Sequence, residues 1–208
     1  MTAHEVALLL PEIPRLRDLC RSIATLEEIL NPDREYRCHS FAGNWSPEEE
    51  MASMTNGSGD EYSIVFSPAG AYVRCFDHES PMSPYADEDH RPWPGVLDSV
   101  PEVFRPYVEE PAFCDEDGVP LVTACLWRET HDSRWRTGEI DYPKGSADPD
   151  GSAWLLDLLT DPTPEAFQRF AEDYYEVPVD LDAVRHVYAL RPLTPRVVSL
   201  MRAGGRPR

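Results

Sequence analysis

The stretch Asn56 to Phe76, NGSGDEYSIVFSPAGAYVRCF, leaves the chain little choice of local fold. Asn56-Gly57-Ser58-Gly59-Asp60 supplies residues that take positive φ at little cost, as a tight turn needs. Ser67-Pro68-Ala69-Gly70 places Pro at the second and Gly at the fourth position of a type I turn. The runs on either side of this second turn are rich in β-branched and aromatic residues, so they read as the two strands of a hairpin. With the loop at 67–70, Phe66 falls opposite Ala71, Ile64 opposite Val73 and Tyr62 opposite Cys75. All six share one apolar face, and a slip of one residue would turn every one of them away from it. Ser63, Tyr72, Arg74 and His78 fall on the other side, which is expected to be a polar, aromatic face.

The second strand runs into Asp77-His78-Glu79-Ser80, a dense set of reactive groups where a sheet hands over to a loop. The loop that follows, 80–95, carries Pro at 81, 84, 92 and 94 and is expected to lack regular pairing. Ahead of the hairpin, Ile13, Leu16, Leu19, Cys20, Ile23, Leu26 and Leu30 recur at helical spacing, which predicts an amphipathic helix over 12–30 that stops before Asn31-Pro32. Residues 34–42 alternate like a strand, and 46–49 form a turn leading to a short helix or to a strand around 51–55. Downstream, 101–109 reads as a helix and 121–127 as a strand of the same sheet. Helices then open at Ser152, at Thr163-Pro164, at Asp180 and at Thr194-Pro195. The expected fold class is α+β: a mainly antiparallel sheet of about four or five strands, an N-terminal helix and a C-terminal helical group. Residues 1–208 form one domain, sheet-centred over about 1–140 and helical over about 151–202.

Charge narrows the class of partner. The formal net charge is −19. Between Asp77 and Asp117 twelve Asp or Glu face only Arg91 and Arg105, whereas Arg191 to Arg208 holds five Arg and no acid. Such a body repels free nucleic acid, whose binding needs phosphate neutralisation, and its natural complement is a basic protein. The five Cys, at 20, 38, 75, 114 and 125, include no CxxC pair, so zinc-ribbon and thioredoxin patterns are absent. Unpaired Cys inside strand-like runs act as small buried hydrophobes. No run approaches the roughly 20 apolar residues of a membrane span, and no secretory signal is legible. The expectation is a reduced, cytoplasmic protein with no membrane contact.

The chemistry-bearing residues do not complete a catalytic motif. His78 and Glu79, with Asp77, Asp87 and His90, are ligand types suited to a divalent ion, but the HES spacing is not HExxH. Ser80 and Ser83 lie in no GxSxG elbow and are expected to make turn hydrogen bonds before Pro. The Asn56 to Asp60 turn lacks the P-loop lysine. No catalytic residue, metal site or cofactor is expected. Trp45, Trp93, Trp127 and Trp135 fall at element ends or in loops, and their convergence with Tyr72 and His78 would make a binding surface.

The core NGSGDEYSIVFSPAGAYVRCFDHESPMSPY, followed by Trp93-Pro94-Gly95-Val96-Leu97 and by RPLT at 191–194, resembles a family of uncharacterised bacterial proteins, mostly from high-GC genomes. The resemblance spans most of the chain and implies a shared fold, with no activity to carry over. Eighteen of the nineteen basic residues are Arg, a bias that also points to a GC-rich genome. The resulting expectation is a non-enzymatic, immunity-protein-like or antitoxin-like binder of a basic protein. Its contacts would be Asp77, His78, Glu79, Asp87, Glu88, Asp89, Trp93 and Tyr72. The alternative is a small-molecule binder or metal-assisted hydrolase with its site around His78 and Glu79.

Overall fold

In the computed structural model, residues 1–203 are described; Arg206 and Arg208, the end of the basic C-terminal run, lie outside the described residues. Helices α1 (Ala3–Leu9) and α2 (Ile13–Leu30) come first. The apolar spacing of α2 does what it predicts: Leu16, Leu19, Cys20, Ile23 and Leu26 are all buried. Pro14 falls in the first turn, where a backbone N–H would have no helical partner. The helix stops at Asn31. Residues 34–36 form a 3-10 turn rather than the start of a strand, because the Arg37 guanidinium donates to the carbonyls of Asn31 and Pro32, both at 2.8 Å, and folds the chain back on the helix end.

Six strands then run side by side in chain order as an antiparallel meander. They are β1 (His39–Ser46), β2 (Glu49–Thr55), β3 (Glu61–Ser67), β4 (Gly70–Phe76), β5 (Ala124–Glu129) and β6 (Arg136–Thr137). The fold is α+β. The β3–β4 hairpin has the predicted register, with Tyr62 opposite Cys75, Ile64 opposite Val73 and Phe66 opposite Ala71. Between β4 and β5 the only α-helix is α3 (Arg105–Val108), entered from a 3-10 turn at Glu102–Phe104. Pro106 has no N–H to offer the Glu102 carbonyl, so the expected 101–109 helix breaks into these two pieces.

The C-terminal group comprises α4 (Ser152–Leu155), α5 (Asp157–Thr160), α6 (Pro164–Tyr175), α7 (Leu181–Tyr188) and α8 (Pro195–Ala203). Thr163 and Asp180 cap α6 and α7 as predicted, their side-chain oxygens accepting the Ala166 N–H at 3.2 Å and the Ala183 N–H at 2.8 Å. Ser152 is already inside α4, and Gly151, with φ of 70°, holds the cap position instead. No helix among the described residues is long and apolar enough to cross a membrane.

Both faces of the sheet are buried. Against the face of Tyr62, Ile64, Val73 and Leu126 pack α1, α2 and the C-terminal helices in one large core. Within it sits a polar cluster. Glu27, fully buried on α2, accepts the His39 backbone N–H at 3.1 Å and the Tyr175 hydroxyl at 2.7 Å, and its second oxygen contacts His39 Nδ1.

The opposite face corrects the expectation of an open polar surface. Segment 80–122 folds back across it, and Met82, Val96, Val100, Phe104, Val108 and Phe113 form a second core with Val65, Tyr72, Cys125 and Trp127. Tyr72 is 1% exposed, packed against the rings of Phe104 and Tyr107, and therefore offers no surface contact. Arg74 is also buried: Nη1 and Nη2 donate to the Leu121 carbonyl and to Glu61, and the Phe113 ring centre lies 4.8 Å from the guanidinium carbon. Trp127 joins Tyr72 in this second core and the partly buried Trp45 and Trp93 pack against it; Trp135 belongs to the first.

Candidate functional site

The β3–β4 register continues one step past the strands. With Glu61 opposite Phe76, Asp60 at the end of the first turn comes next to Asp77 and His78. Asp60 Oδ1 accepts from the His78 backbone N–H at 3.0 Å and lies 2.7 Å from His78 Nδ1, while Oδ2 accepts from Asn56 Nδ2 at 2.7 Å. Asp77 accepts the Glu79 N–H at 3.0 Å on Oδ1 and the Trp154 indole N–H at 3.0 Å on Oδ2. Gly151 presses on the same carboxylate. A Cβ built there would fall 2.4 Å from Asp77 Cβ, so only Gly serves at this positive φ.

Burial alone would raise the Asp60 carboxyl, but the hydrogen bonds from His78 and Asn56 outweigh it and hold the group below its usual range. The hydrogen bond to Asp60 likewise raises His78 above its ordinary 6.5. His78 contributes stability fully below about pH 6.5 and loses it as pH rises through the raised folded value. Asp60 contributes above about pH 3.8 and loses its share as pH falls through the depressed value. An NMR titration is expected to place the His78 pKa above 6.5 in the native protein and to return it toward 6.5 in Asp60→Asn. A His78 titration untouched by that change would contradict the pairing.

Asp60, Asp77 and His78 can each offer a metal one ligand atom, all within 4.8 Å of one another. The carboxylates already serve N–H donors and Nδ1 is engaged, so a metal would have to compete with the contacts that hold the turn. Glu79 is exposed, its Oε1 lying 3.9 Å from His78 Nε2. Ser80 has no free hydroxyl for nucleophilic work: it donates to the Pro149 carbonyl at 2.7 Å and accepts the Met82 N–H at 3.0 Å. Ser83 similarly closes a turn by accepting the Tyr85 N–H at 3.3 Å. Burial pushes the thiol of Cys38 up to about 11 and that of Cys125 up to about 12, and holds Cys75 well above the free value, which disfavours the reactive thiolate.

Beyond Ser80 the chain enters a groove of about 570 Å³, lined by Pro81, Met82, Ser83, Ala86, Asp87, Arg91, Pro92, Trp93, Pro94 and Asp98. The segment that carries Trp93 is held by a backbone crossing. A Cβ at Gly95 would meet the Glu139 carbonyl oxygen at 2.2 Å, and the Trp93 indole N–H donates to the Asp141 carbonyl at 3.0 Å. Asp87, Glu88 and Asp89 are exposed beside it. The loop is braced from below by His90, whose Nε2 lies 2.6 Å from Asp115 Oδ2, an interaction that pulls the Asp115 carboxyl below its usual range.

The structure thus groups Asp77, His78 and Glu79 in one hub, places Asp87 and Trp93 in a groove with Glu88 and Asp89 at its side, and withdraws Tyr72 into the core. Asp60 and Trp154 in the hub, and Met82 and Asp98 in the groove, are site residues that motif reading passes over. Asp60 was recoverable from the hairpin register; Trp154 comes from a helix far away in the chain. Comparison with protein-family models, curated proteins and solved structures found no match, so function rests on the site's own geometry.

Proposed function

We propose that the protein is a non-enzymatic cytoplasmic binder of a basic protein, of the immunity-protein or antitoxin-like kind, and that it comes from a high-GC bacterium. The observation that carries the reading is the groove at Trp93, a half-buried aromatic side chain with Asp87 and Asp98 in the same walls, set in the stretch 77–117 where twelve acidic residues face two arginines. An aromatic anchor in a pocket with charged groups around it is the usual form of an interaction hot spot, and the surrounding negative potential would speed encounter with a basic surface. The same potential disfavours nucleic acid. The high Arg share and the resemblance of the 56–85 core support the source; the free thiols support a reducing compartment.

Capture from native lysate tests this. The wild-type protein is expected to retain one stoichiometric basic partner at low salt, to lose it at high salt, and to lose it when Asp87→Asn, Glu88→Gln and Asp89→Asn are combined. Retention by the folded triple variant at low salt would contradict it. The convergence of Asp60, Asp77 and His78 favours a second reading, a small-molecule binder or metal-assisted hydrolase around His78 and Glu79. Stoichiometric zinc in the purified protein, lost in His78→Ala, would select the second reading over the first.

A further inference from the structure

The groove already carries one cation. Arg91 lines it, with Nε 3.5 Å from Asp87 Oδ2, and its Nη2 also pairs with Asp89. The Arg91 side chain is 68% exposed, so these are surface ion pairs of small individual worth, readily exchanged for others. Asp98, the second carboxylate in the wall, uses Oδ2 to accept the Gly95 N–H at 3.0 Å and forms no ion pair with Arg91. Trp93 has its indole N–H committed to Asp141, so what it brings to the groove is its aromatic surface. Carboxylates around an aromatic ring in a half-open groove suit a guanidinium, which stacks on the ring and hydrogen-bonds at its edge.

We propose that this groove takes an arginine side chain of the basic partner, and that Arg91 is the built-in competitor it displaces. The proposal rests on the binding function argued above and specifies its contact. Arg91 then sets a threshold: a partner presenting one weak cation does not dislodge it, whereas a partner with a well-placed arginine replaces it and gains the Trp93 surface and Asp98 as well.

The test uses the full chain and two blocked peptides, acetyl-Gly-Arg-Gly-Arg-Gly-amide and the same peptide with norleucine for arginine, at low salt. The indole N–H signal of Trp93, assigned through Trp93→Phe, is followed by NMR. The arginine peptide is expected to shift that signal and the norleucine peptide to leave it in place. Arg91→Gln is expected to tighten arginine-peptide binding by about two- to fivefold, the worth of the exposed ion pairs removed. Adding Asp87→Asn and Asp98→Asn to that variant should abolish the gain, with the remaining signals unmoved as proof of fold. Equal shifts from both peptides, no shift from either, or an Arg91→Gln variant that binds no tighter would each overturn the proposal. Lysate capture separates its failure from that of the parent reading. A basic partner lost in the acidic triple variant yet held unchanged by Arg91→Gln and by Asp98→Asn leaves the binder standing and removes the arginine pocket.

Discussion

Glu27→Ala is expected to destabilise the protein by roughly 3–5 kcal/mol, because it removes the common partner of three buried hydrogen-bonding groups, each of which costs about 1–3 kcal/mol when left unsatisfied. The reason is local and complete. Glu27 is 0% exposed, and its carboxylate joins three elements: its own helix α2, strand β1 through the backbone N–H and the Nδ1 of His39, and helix α6 through the Tyr175 hydroxyl. Removing it leaves His39 and Tyr175 among Tyr62 and Phe170, with the Phe170 ring edge-on to the imidazole at 5.3 Å. For a domain stable by about 5–15 kcal/mol that is a large fraction. Urea unfolding should show a lower midpoint at unchanged slope. Glu27→Gln keeps an acceptor in place and should lose less, about 1–3 kcal/mol. A loss under about 1 kcal/mol for the alanine variant would mean that water or another group takes over the freed donors.

Tyr72→Ala is the second large effect, expected to cost about 3–5 kcal/mol through loss of apolar burial and the cavity left behind. Tyr72 is the side chain by which β4 holds the returning 80–122 segment, with the Tyr107 and Phe104 rings centred 5.7 and 6.2 Å away. Its hydroxyl contributes less than its ring, so Tyr72→Phe should fall well short of the alanine variant. Hydrogen exchange should locate the damage in the 80–122 layer before the helical core. If Tyr72→Ala left stability unchanged, the face it occupies would be the open one that hydropathy alone suggests.

Tyr72 also shows how far reading the chain could go. Alternation settles which residues share a face, and for β3 and β4 it yields the register residue by residue. It does not say what covers the second face. A strand with Tyr72 and Arg74 on one side reads as half solvated, and only the return of a Pro-rich segment with no regular pairing buries it. That segment has no period to detect, since its apolar residues are spaced by turns. Glu27 is hidden for a different reason. Beside Glu28 on an amphipathic helix it reads as surface, and its burial depends on His39 and Tyr175 arriving from elements 12 and 148 positions away. Asp150 is similar: fully buried, it accepts the Ala3 N–H at 2.8 Å and so ties α1 to the start of α4, 147 positions away. In the candidate site, Asp77, His78, Glu79, Asp87 and Trp93 were legible because they cluster in sequence, and Asp60 because register carries it there. Trp154 and Asp98 join only through tertiary folding.

On the proposed function, a basic partner docks at the 81–98 groove, on the sheet face opposite α2. Photo-cross-linking tests that location. A photoreactive residue is placed at Ala86 in the groove wall or, as control, at exposed Arg15 on α2, and the protein is irradiated with the captured partner at low salt. A cross-linked product is expected from position 86 and none from position 15. Cross-linking from position 15 with none from position 86 would place the partner on the helical face and contradict it.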